Sequence, residues 1–335
     1  MHRRISLAAV LSATAVSAAV FTPSDASAFA KYAAEFLRIG VGARALGMGG
    51  AFVAIADDAS AAQWNPAGLA LLRQGELMAM HSEHLGSLAS HDYLGFAQPL
   101  QGDKAAGIGI GLVRFSVDDI PLTKHAFDDL NGDGERQDNE PILTDQFEMK
   151  SDDEYGLFLT YAREIRTGWL FGGNVKMLRQ GLLDNTSFGI GLDFGVLYLA
   201  QPGLMLGARL SDATATQISW DTGHKDTVSP SLHLGGSWTR GFDAIRGSLT
   251  AAGGVGMTFD RRIEASQFGE SSLTGDLQGG LEYWYAERIA ARVGTDAGEL
   301  AAGAGLRLDR FGVDYAFLSN ADLDDSHRIS ANVRF

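Results

Sequence analysis

The stretch FGIGLDFGVLYLA, residues 188–200, places an apolar side chain at every second position. The positions between them hold Gly189, Gly191, Asp193 and Gly195, where a half-buried strand in water would carry Thr, Lys or Glu. A β-strand turns successive side chains to opposite faces, so one face here is apolar and the other is small or charged. We expect the apolar face to contact lipid and the glycine face to line a lumen that has room for packing.

The same alternation returns along the chain in segments of about ten residues that are separated by turn residues. It is clearest at residues 107–113, 155–162, 277–285, 302–309 and 311–317. In lipid every backbone N–H and C=O must be paired within the protein, which a sheet achieves only by closing on itself. A secreted β-sandwich also alternates, but it lacks the glycine-rich second face and the Tyr and Trp residues near strand ends that interfacial girdles require.

The sequence therefore predicts an all-β fold, a 14-stranded antiparallel transmembrane β-barrel that spans residues 76–335. An even number of strands brings both ends of the sheet to the same side of the membrane. The predicted strands cover residues 76–82, 91–100, 104–116, 152–164, 167–179, 186–200, 203–211, 228–240, 245–259, 273–286, 288–295, 299–309, 311–319 and 326–335.

The first 30 residues have the pattern of a signal peptide. Two arginines precede an apolar run over residues 5–21, and residues 26–28 and 28–30 both match an A-x-A cleavage site. A membrane anchor is the weaker interpretation, because the run is short and ends in a cleavage pattern. We expect export to the bacterial outer membrane, where outer-membrane lipid surrounds the barrel.

Composition excludes several classes of function. The chain has no cysteine, so it has neither disulfides nor a Cys nucleophile, and a net charge of -14 argues against nucleic-acid binding. Possible triad residues occur at His81-Ser82 and His91-Asp92, but no G-x-S-x-G motif accompanies them. We therefore predict that the protein is not an enzyme and has no catalytic residues.

Residues 31–75 do not alternate and are rich in Ala and Gly. Within them, the stretch FLRIGVGARALGMGGAFVAIADDASAAQWNPAGLA, residues 36–70, resembles the N-terminal signature of the PorV/PorQ family, in the wider FadL-like group of outer-membrane barrels. That resemblance implies an N-terminal hatch inside the barrel, with Asn65, Pro66 and Ala67 as its Asn-Pro-Ala motif. It also implies that the hatch backbone turns tightly at its glycines, which are Gly47, Gly49 and Gly50.

The resemblance implies two functions of different kinds. FadL-like members transport hydrophobic small molecules across the outer membrane, which is the function we expect here. PorV-like members are partner subunits in protein secretion to the cell surface, and a purely structural outer-membrane protein is a further alternative. Phe335 ends the last predicted strand on its apolar face. A terminal aromatic residue in that position resembles the assembly signal that the barrel-assembly machinery reads.

The segment DLNGDGERQDNE, residues 129–140, matches the pattern of a calcium loop. Ca²⁺ takes about 6–8 oxygen ligands, which alternating acidic residues around a Gly turn can supply. The expected ligands are Asp129, Asn131, Asp133, the Glu135 backbone and Glu140. Prolines on both sides exclude a helix–loop–helix sensor, so we expect Ca²⁺ to order the long extracellular loop 117–151, although an Asx-rich solvated turn remains the alternative.

Charged residues on the glycine-bearing faces should line the lumen. Because a plugged lumen excludes water, such charges are expected to form ion pairs that brace the barrel rather than to take part in acid–base chemistry. Arg44 of the predicted hatch is a candidate partner for the acidic residues of the wall. The predicted lumen charges are Arg44, Asp193, Glu282, Arg307, Asp314 and Arg334.

Overall fold

The computed structural model describes most of the chain after the predicted signal peptide. The described residues are 33–84, 88–102, 104–123, 126–128, 130, 136–138, 140–259, 266–270, 273–319 and 325–335. Residues 1–30, and with them the predicted cleavage site, lie outside these ranges. No helix within these ranges has the length and apolarity that crossing a membrane requires.

One antiparallel sheet contains all the strands of the described residues. Its strands in chain order are β1 (Glu76–His84), β2 (Ala89–Leu100), β3 (Ala106–Leu122), β4 (Glu148–Arg166), β5 (Trp169–Leu182), β6 (Asn185–Gln201), β7 (Leu204–Ser211), β8 (Thr216–Trp220), β9 (Lys225–Val228), β10 (Ser231–Phe242), β11 (Gly247–Thr258), β12 (Phe268–Glu270), β13 (Leu273–Tyr285), β14 (Ile289–Asp296), β15 (Glu299–Leu308), β16 (Phe311–Leu318) and β17 (Ser326–Arg334).

The sheet closes into a barrel because β1 pairs with both β2 and β17. The wall consists of 14 of these strands, since β10 pairs directly with β7 and β13 pairs directly with β11. The short strands β8 and β9 form a hairpin beyond β7, with β8 paired to β6, and β12 pairs with β13. The prediction of a closed 14-stranded antiparallel barrel is therefore confirmed.

The strand predictions differ from the structure mainly at the outer ends. β3 continues to Leu122 and β4 begins at Glu148, so the connection between them is shorter than the predicted loop 117–151. A register shift between Val117 and Ile120 allows this pairing to continue past an irregular point. The β8–β9 hairpin was not expected from the sequence.

The two faces of β6 differ as the opening stretch indicates. Phe188 and Ile190 are 52% and 54% exposed on the outside, whereas Asp193 is completely buried on the inside. Near one end of the wall Trp169 stacks on Tyr198 with ring centroids 4.4 Å apart, as expected for residues at a membrane interface. The apolar side chains thus form the outer surface and the small or charged ones face inwards.

The ends of the barrel have different connections. The turns that join β4 to β5, β6 to β7 and β15 to β16 are short and lie at the end where β1 starts and β17 stops, which we call the terminal end. The opposite end, which we call the loop end, carries the connection from β3 to β4 and the β8–β9 hairpin. In outer-membrane barrels short turns face the periplasm and long loops face outwards.

The N-terminal segment, residues 33–75, packs against the inner face of the wall. It contains two helices, α1 (Ala43–Gly47) and α2 (Ala61–Trp64), and two 3-10 helices, Glu35–Ile39 and Pro66–Leu71. Further 3-10 turns occur at Thr144–Gln146 and Asp243–Ile245. Most side chains of the segment are buried, so it forms the core of the molecule together with the inward-facing wall residues.

Glycines of the wall allow this segment to approach closely. A Cβ on Gly294 would overlap the backbone of Met48 and Gly49, whereas a Cβ on Gly241 would meet nothing within 4 Å. Gly294→Ala should therefore lower the midpoint of unfolding of the purified protein in detergent, with an overpacking cost of about 1–3 kcal/mol. Gly241→Ala is the matched control and should leave the midpoint unchanged, and equal midpoints for the two variants would contradict this packing.

Candidate functional site

Asn65 joins the N-terminal segment to the wall. Its Nδ2 donates to the carbonyl oxygens of Val53 at 2.7 Å and Val196 at 3.2 Å. Its Oδ1 accepts from the backbone N–H of Ala67 at 3.1 Å, which caps the 3-10 helix that begins at Pro66. The amide oxygen fills the space that a Cβ on Gly195 would need, which explains one glycine of the 188–200 stretch.

The three predicted hatch glycines lie at the end of α1. Gly47 is the last residue of α1 and packs on the backbone of Gly303. Gly49 and Gly50 have φ values of +60° and +66°, a conformation that favours glycine, and a Cβ on Gly49 would overlap the backbone of Thr295. These glycines therefore combine a tight turn with close contact to the wall.

Four charged residues form a chain from the segment into the wall. Arg44 reaches Glu282 with Nε–Oε2 and Nη2–Oε1 distances of 2.9 Å each. Arg292 donates its Nε to the same Glu282 oxygen at 2.7 Å, and its Nη1 lies 2.7 Å from Asp314 Oδ1. Arg44 also contacts Asp57 at 2.5 Å on the more exposed side. The positive and negative charges alternate, so each carboxylate here has a cationic partner.

Asp193 belongs to a second charge group at the loop end of β7. Lys176 Nζ lies 2.9 Å from Asp193 Oδ1 and 2.7 Å from Asp212 Oδ1. The backbone N–H of Asp212 donates to Asp193 at 2.8 Å, and the guanidinium of Arg209 lies close enough to act on both carboxylates. The sequence did not lead to a prediction for four charged residues of these groups, which are Lys176, Arg209, Asp212 and Arg292. Strand alternation alone would place Lys176 and Arg292 on the inner face.

The other predicted lumen charges lie near the terminal end. Arg334 donates to Glu76 at 2.8 Å, which links the last wall strand to the first. Arg307 instead stacks over the ring of Trp284, with its guanidinium carbon 4.4 Å from the ring centroid. Of the six predicted charges, Arg44, Glu282, Arg307 and Arg334 thus line a common space near the terminal end and Asp314 is linked to them through Arg292, whereas Asp193 lies apart at the loop end.

Two cavities lie between the N-terminal segment and the wall. The cavity at the loop end has a volume of about 210 Å³, and its apolar part is formed by Leu37, Leu46, Trp64 and Phe158. The cavity at the terminal end has a volume of about 630 Å³, and it is lined by charged residues that include Arg44, Glu282 and Arg307. We call them the loop-end cavity and the terminal-end cavity.

The residues considered for a hydrolytic triad do not form one. Ser82 Oγ lies 3.1 Å from His84 Nε2, but Arg328 Nη1 contacts both groups and opposes the protonated imidazole that a general base must become. His81 pairs with Asp92 at 2.6 Å on the exposed face. The described residues here therefore show no nucleophile with a base and an orienting acid.

The proposed calcium loop is only partly described. Asp129, Asn131, Asp133 and Glu135 lie outside the described residues, and the remaining described residues contain no cluster of three His, Asp or Glu side chains suited to a metal ion. Glu140 is buried, and its carboxylate accepts the backbone N–H groups of Leu130 at 3.0 Å and Gln137 at 2.8 Å. It therefore holds the two sides of this loop together.

Comparison with known proteins supports the fold. Residues 7–132 match the sequence model of an uncharacterised protein family (UPF0164), whereas no curated protein matches by sequence. The toluene transporter TbuX of Ralstonia pickettii is similar with a TM-score of 0.52 and 14% identity, over 88% of this chain and 98% of that one. The toluene transporter TodX of Pseudomonas putida gives 0.52 and 13% over 88% and 97%.

A third similar structure is the monoaromatic hydrocarbon channel CymD, with a TM-score of 0.52 and 12% identity over 89% of this chain and 98% of that chain. At these identities the likeness concerns the fold alone. By their names these structurally similar proteins are two transporters and a channel.

Asp58 is a buried acid of the N-terminal segment. It accepts the backbone N–H of Ser60 at 2.9 Å, and its other oxygen lies 3.6 Å from Arg44. Burial, together with the nearby Glu76 carboxylate and against the opposing effect of Arg44, raises the pKa of Asp58 to about 6. The folded protein therefore holds a proton on Asp58 over a pH range in which the unfolded chain has lost it.

The sign of this shift predicts a pH dependence of stability. A raised carboxyl pKa stabilises the fold below the unfolded value of about 4, and this contribution is lost as the pH rises through about 6. Asp58→Asn keeps the acceptor for Ser60 but does not titrate. Between pH 4.5 and 7.5 the wild type should lose about 2–3 kcal/mol more stability than the variant, measured by denaturant unfolding in detergent. Parallel pH profiles for the two proteins would contradict this assignment.

Protection from proteolysis tests whether residues 129–140 bind calcium. The sequence pattern predicts a dissociation constant of about 10⁻⁴–10⁻³ M, typical of extracellular modules. Millimolar Ca²⁺ should protect the β3–β4 connection from proteolysis, and Glu140→Ala should remove this protection because the bidentate ligand is lost. Glu148→Ala, in the adjoining strand, is the control. Equal cleavage with Ca²⁺ and with a chelator would show that the loop is only an acidic turn.

Proposed function

We propose that the protein carries hydrophobic small molecules across the outer membrane through a lumen that its N-terminal segment plugs. The observation that carries this proposal is the loop-end cavity, which lies between the segment and the wall and is lined by Leu37, Trp64 and Phe158. An apolar molecule that enters from the loop end meets this surface, which the segment itself forms in part through Leu37 and Trp64. The segment then acts as the hatch that such a molecule has to pass.

The packing of the segment fits a hatch better than a permanent part of the wall. Glycines such as Gly195 and Gly294 face it, so much of the contact is between backbones and small side chains. The similar toluene transporters and the hydrocarbon channel make an apolar cargo the first to test.

A role as partner subunit in protein secretion is the second candidate. The 36–70 stretch favours it, because its resemblance is to the PorV/PorQ signature. The β8–β9 hairpin and the β3–β4 connection would offer surfaces to such a partner at the loop end. In this case the lumen stays closed while the outer loops bind cargo.

The terminal residue is the proposed signal for the barrel-assembly machinery. Phe335 stacks on Phe96 with ring centroids 6.2 Å apart and is 58% exposed on the outer surface. Its backbone N–H donates to the carbonyl oxygen of Gly75, which ties the chain end to the start of the first wall strand. An aromatic ring in this place is accessible to a partner in the membrane.

A disulfide lock tests the transport proposal, because the natural chain has no cysteine that could interfere. Ala43 N–H donates to Ser330 Oγ at 3.0 Å, so Ala43→Cys with Ser330→Cys should allow a bond between the segment and the wall. Oxidation should abolish uptake of radiolabelled toluene by cells that express this variant. Reduction should restore uptake, since it removes the only covalent link between the segment and this wall strand.

The control lock joins two wall strands without touching the segment. Thr239 Oγ1 and Thr250 Oγ1 are 2.9 Å apart on neighbouring strands, and Thr239→Cys with Thr250→Cys should leave uptake unchanged in both redox states. Cells without the protein give the background. Transport through the lumen would be overturned if uptake equals this background, or if oxidation of the segment lock does not change uptake. The secretion role would then be the better proposal.

A further inference from the structure

The loop-end cavity has a polar side as well as an apolar one. Its lining includes three cationic and four acidic side chains, and the charges are Arg38, Lys176, Arg209, Glu35, Asp212, Asp276 and Asp296. The cavity wall therefore has no excess of positive charge. A carboxylate that enters it would lose its hydration without meeting a surplus cation, which costs several kcal/mol.

Lys176 is the most deeply buried cation in the lining of this cavity, and acidic residues already neutralise its charge. Lys176 lies within 3 Å of oxygens from both Asp193 and Asp212, and both it and Asp193 are buried. Arg209 faces the same two carboxylates. Because two cations share two acids here, this group gives no net attraction to a further anion or cation.

The lining of the loop-end cavity also has hydrogen-bonding groups that no other part of the described protein pairs with. Apart from its acidic residues, four of its lining side chains carry a buried polar atom without a hydrogen-bond partner among the described residues, and these atoms are Gln63 Oε1, Arg209 Nε, Ser211 Oγ and His233 Nδ1. Buried polar atoms are nearly always paired, and leaving one unpaired costs about 1–3 kcal/mol. Both oxygens and nitrogens occur among these four atoms. A ligand that pairs with them must therefore both donate and accept hydrogen bonds.

We propose that the loop-end cavity selects an uncharged amphiphile, with a short apolar body and one hydroxyl or amide head. This inference rests on the proposed transport function and names the class of substrate. The body packs on Leu37, Trp64 and Phe158, and the head bonds to Ser211 and His233, which line the same cavity. A volume of about 210 Å³ suits a small molecule rather than a long acyl chain.

Four probes with the same eight-carbon chain test the head group. The full-length protein in lipid nanodiscs is equilibrated with radiolabelled octane, 1-octanol, octanoate or octylammonium, and empty nanodiscs give the lipid background. 1-Octanol should bind about tenfold more tightly than each of the other three, because it alone satisfies the unpaired groups without bringing a buried charge. Tighter binding of octanoate or octylammonium would overturn the inference.

Two variants locate the site. Ser211→Ala with His233→Phe should reduce the affinity for 1-octanol to that for octane while leaving octane binding unchanged. Thr239→Ala, which removes a hydroxyl that lines the terminal-end cavity, is the matched control and should change neither affinity. A head-group preference that survives the double variant would also overturn the inference.

The outcomes separate this inference from the transport proposal. If octane and 1-octanol bind equally well and the segment lock still blocks toluene uptake, transport stands and selection by the head group fails. If no probe binds above the empty nanodiscs and the lock has no effect on uptake, both fail. Folding of each variant is checked by the shift of the unheated barrel on a gel, so a missing signal is not mistaken for a lost site.

Discussion

The structure depends on one constraint, which is that a sheet in hydrocarbon must satisfy all its backbone polar groups internally. Pairing of β1 with β17 meets it by closing the wall, and Arg334 with Glu76 adds an ion pair at this seam. Once the ring is closed, the outer face has to be apolar and only the inner face is free to carry glycine and charge. The N-terminal segment occupies this inner space, where the wall glycines give it room.

Charged residues inside the barrel bind the N-terminal segment to the wall. The charges of the wall would still be paired if the segment moved away. Glu282 bonds to Arg44 of the segment and to Arg292 of the neighbouring strand. If Arg44 moved away, Glu282 would keep a buried cationic partner, and Arg292 would still pair with Asp314. A buried carboxylate left alone would cost several kcal/mol. The double pairing reduces that penalty, which would favour the movement of the segment that the proposed function requires.

Strand positions could be predicted from the sequence because period-two alternation is a local signal, and all 14 wall strands lie close to where it places them. The hairpin β8–β9 could not be predicted, because Asp212 and Ala215 adopt positive φ without glycine and so leave no mark in the sequence. Alternation also shows that Lys176 points inwards. It does not show that Asp212 lies beside it, since this contact depends on how β5, β6 and β7 align.

The interruption between β7 and β8 illustrates how irregular backbone survives in such a wall. At this point β6 loses its regular partner, and the carbonyl of Leu192 accepts from the N–H of Ala213 at 2.9 Å instead. The N–H of Asp212 is satisfied by the side chain of Asp193. Irregular backbone at membrane depth is stable only where protein or a cavity surrounds it. Asp212 lines the loop-end cavity, so the polar groups that break the ladder also form the polar side of the proposed binding site.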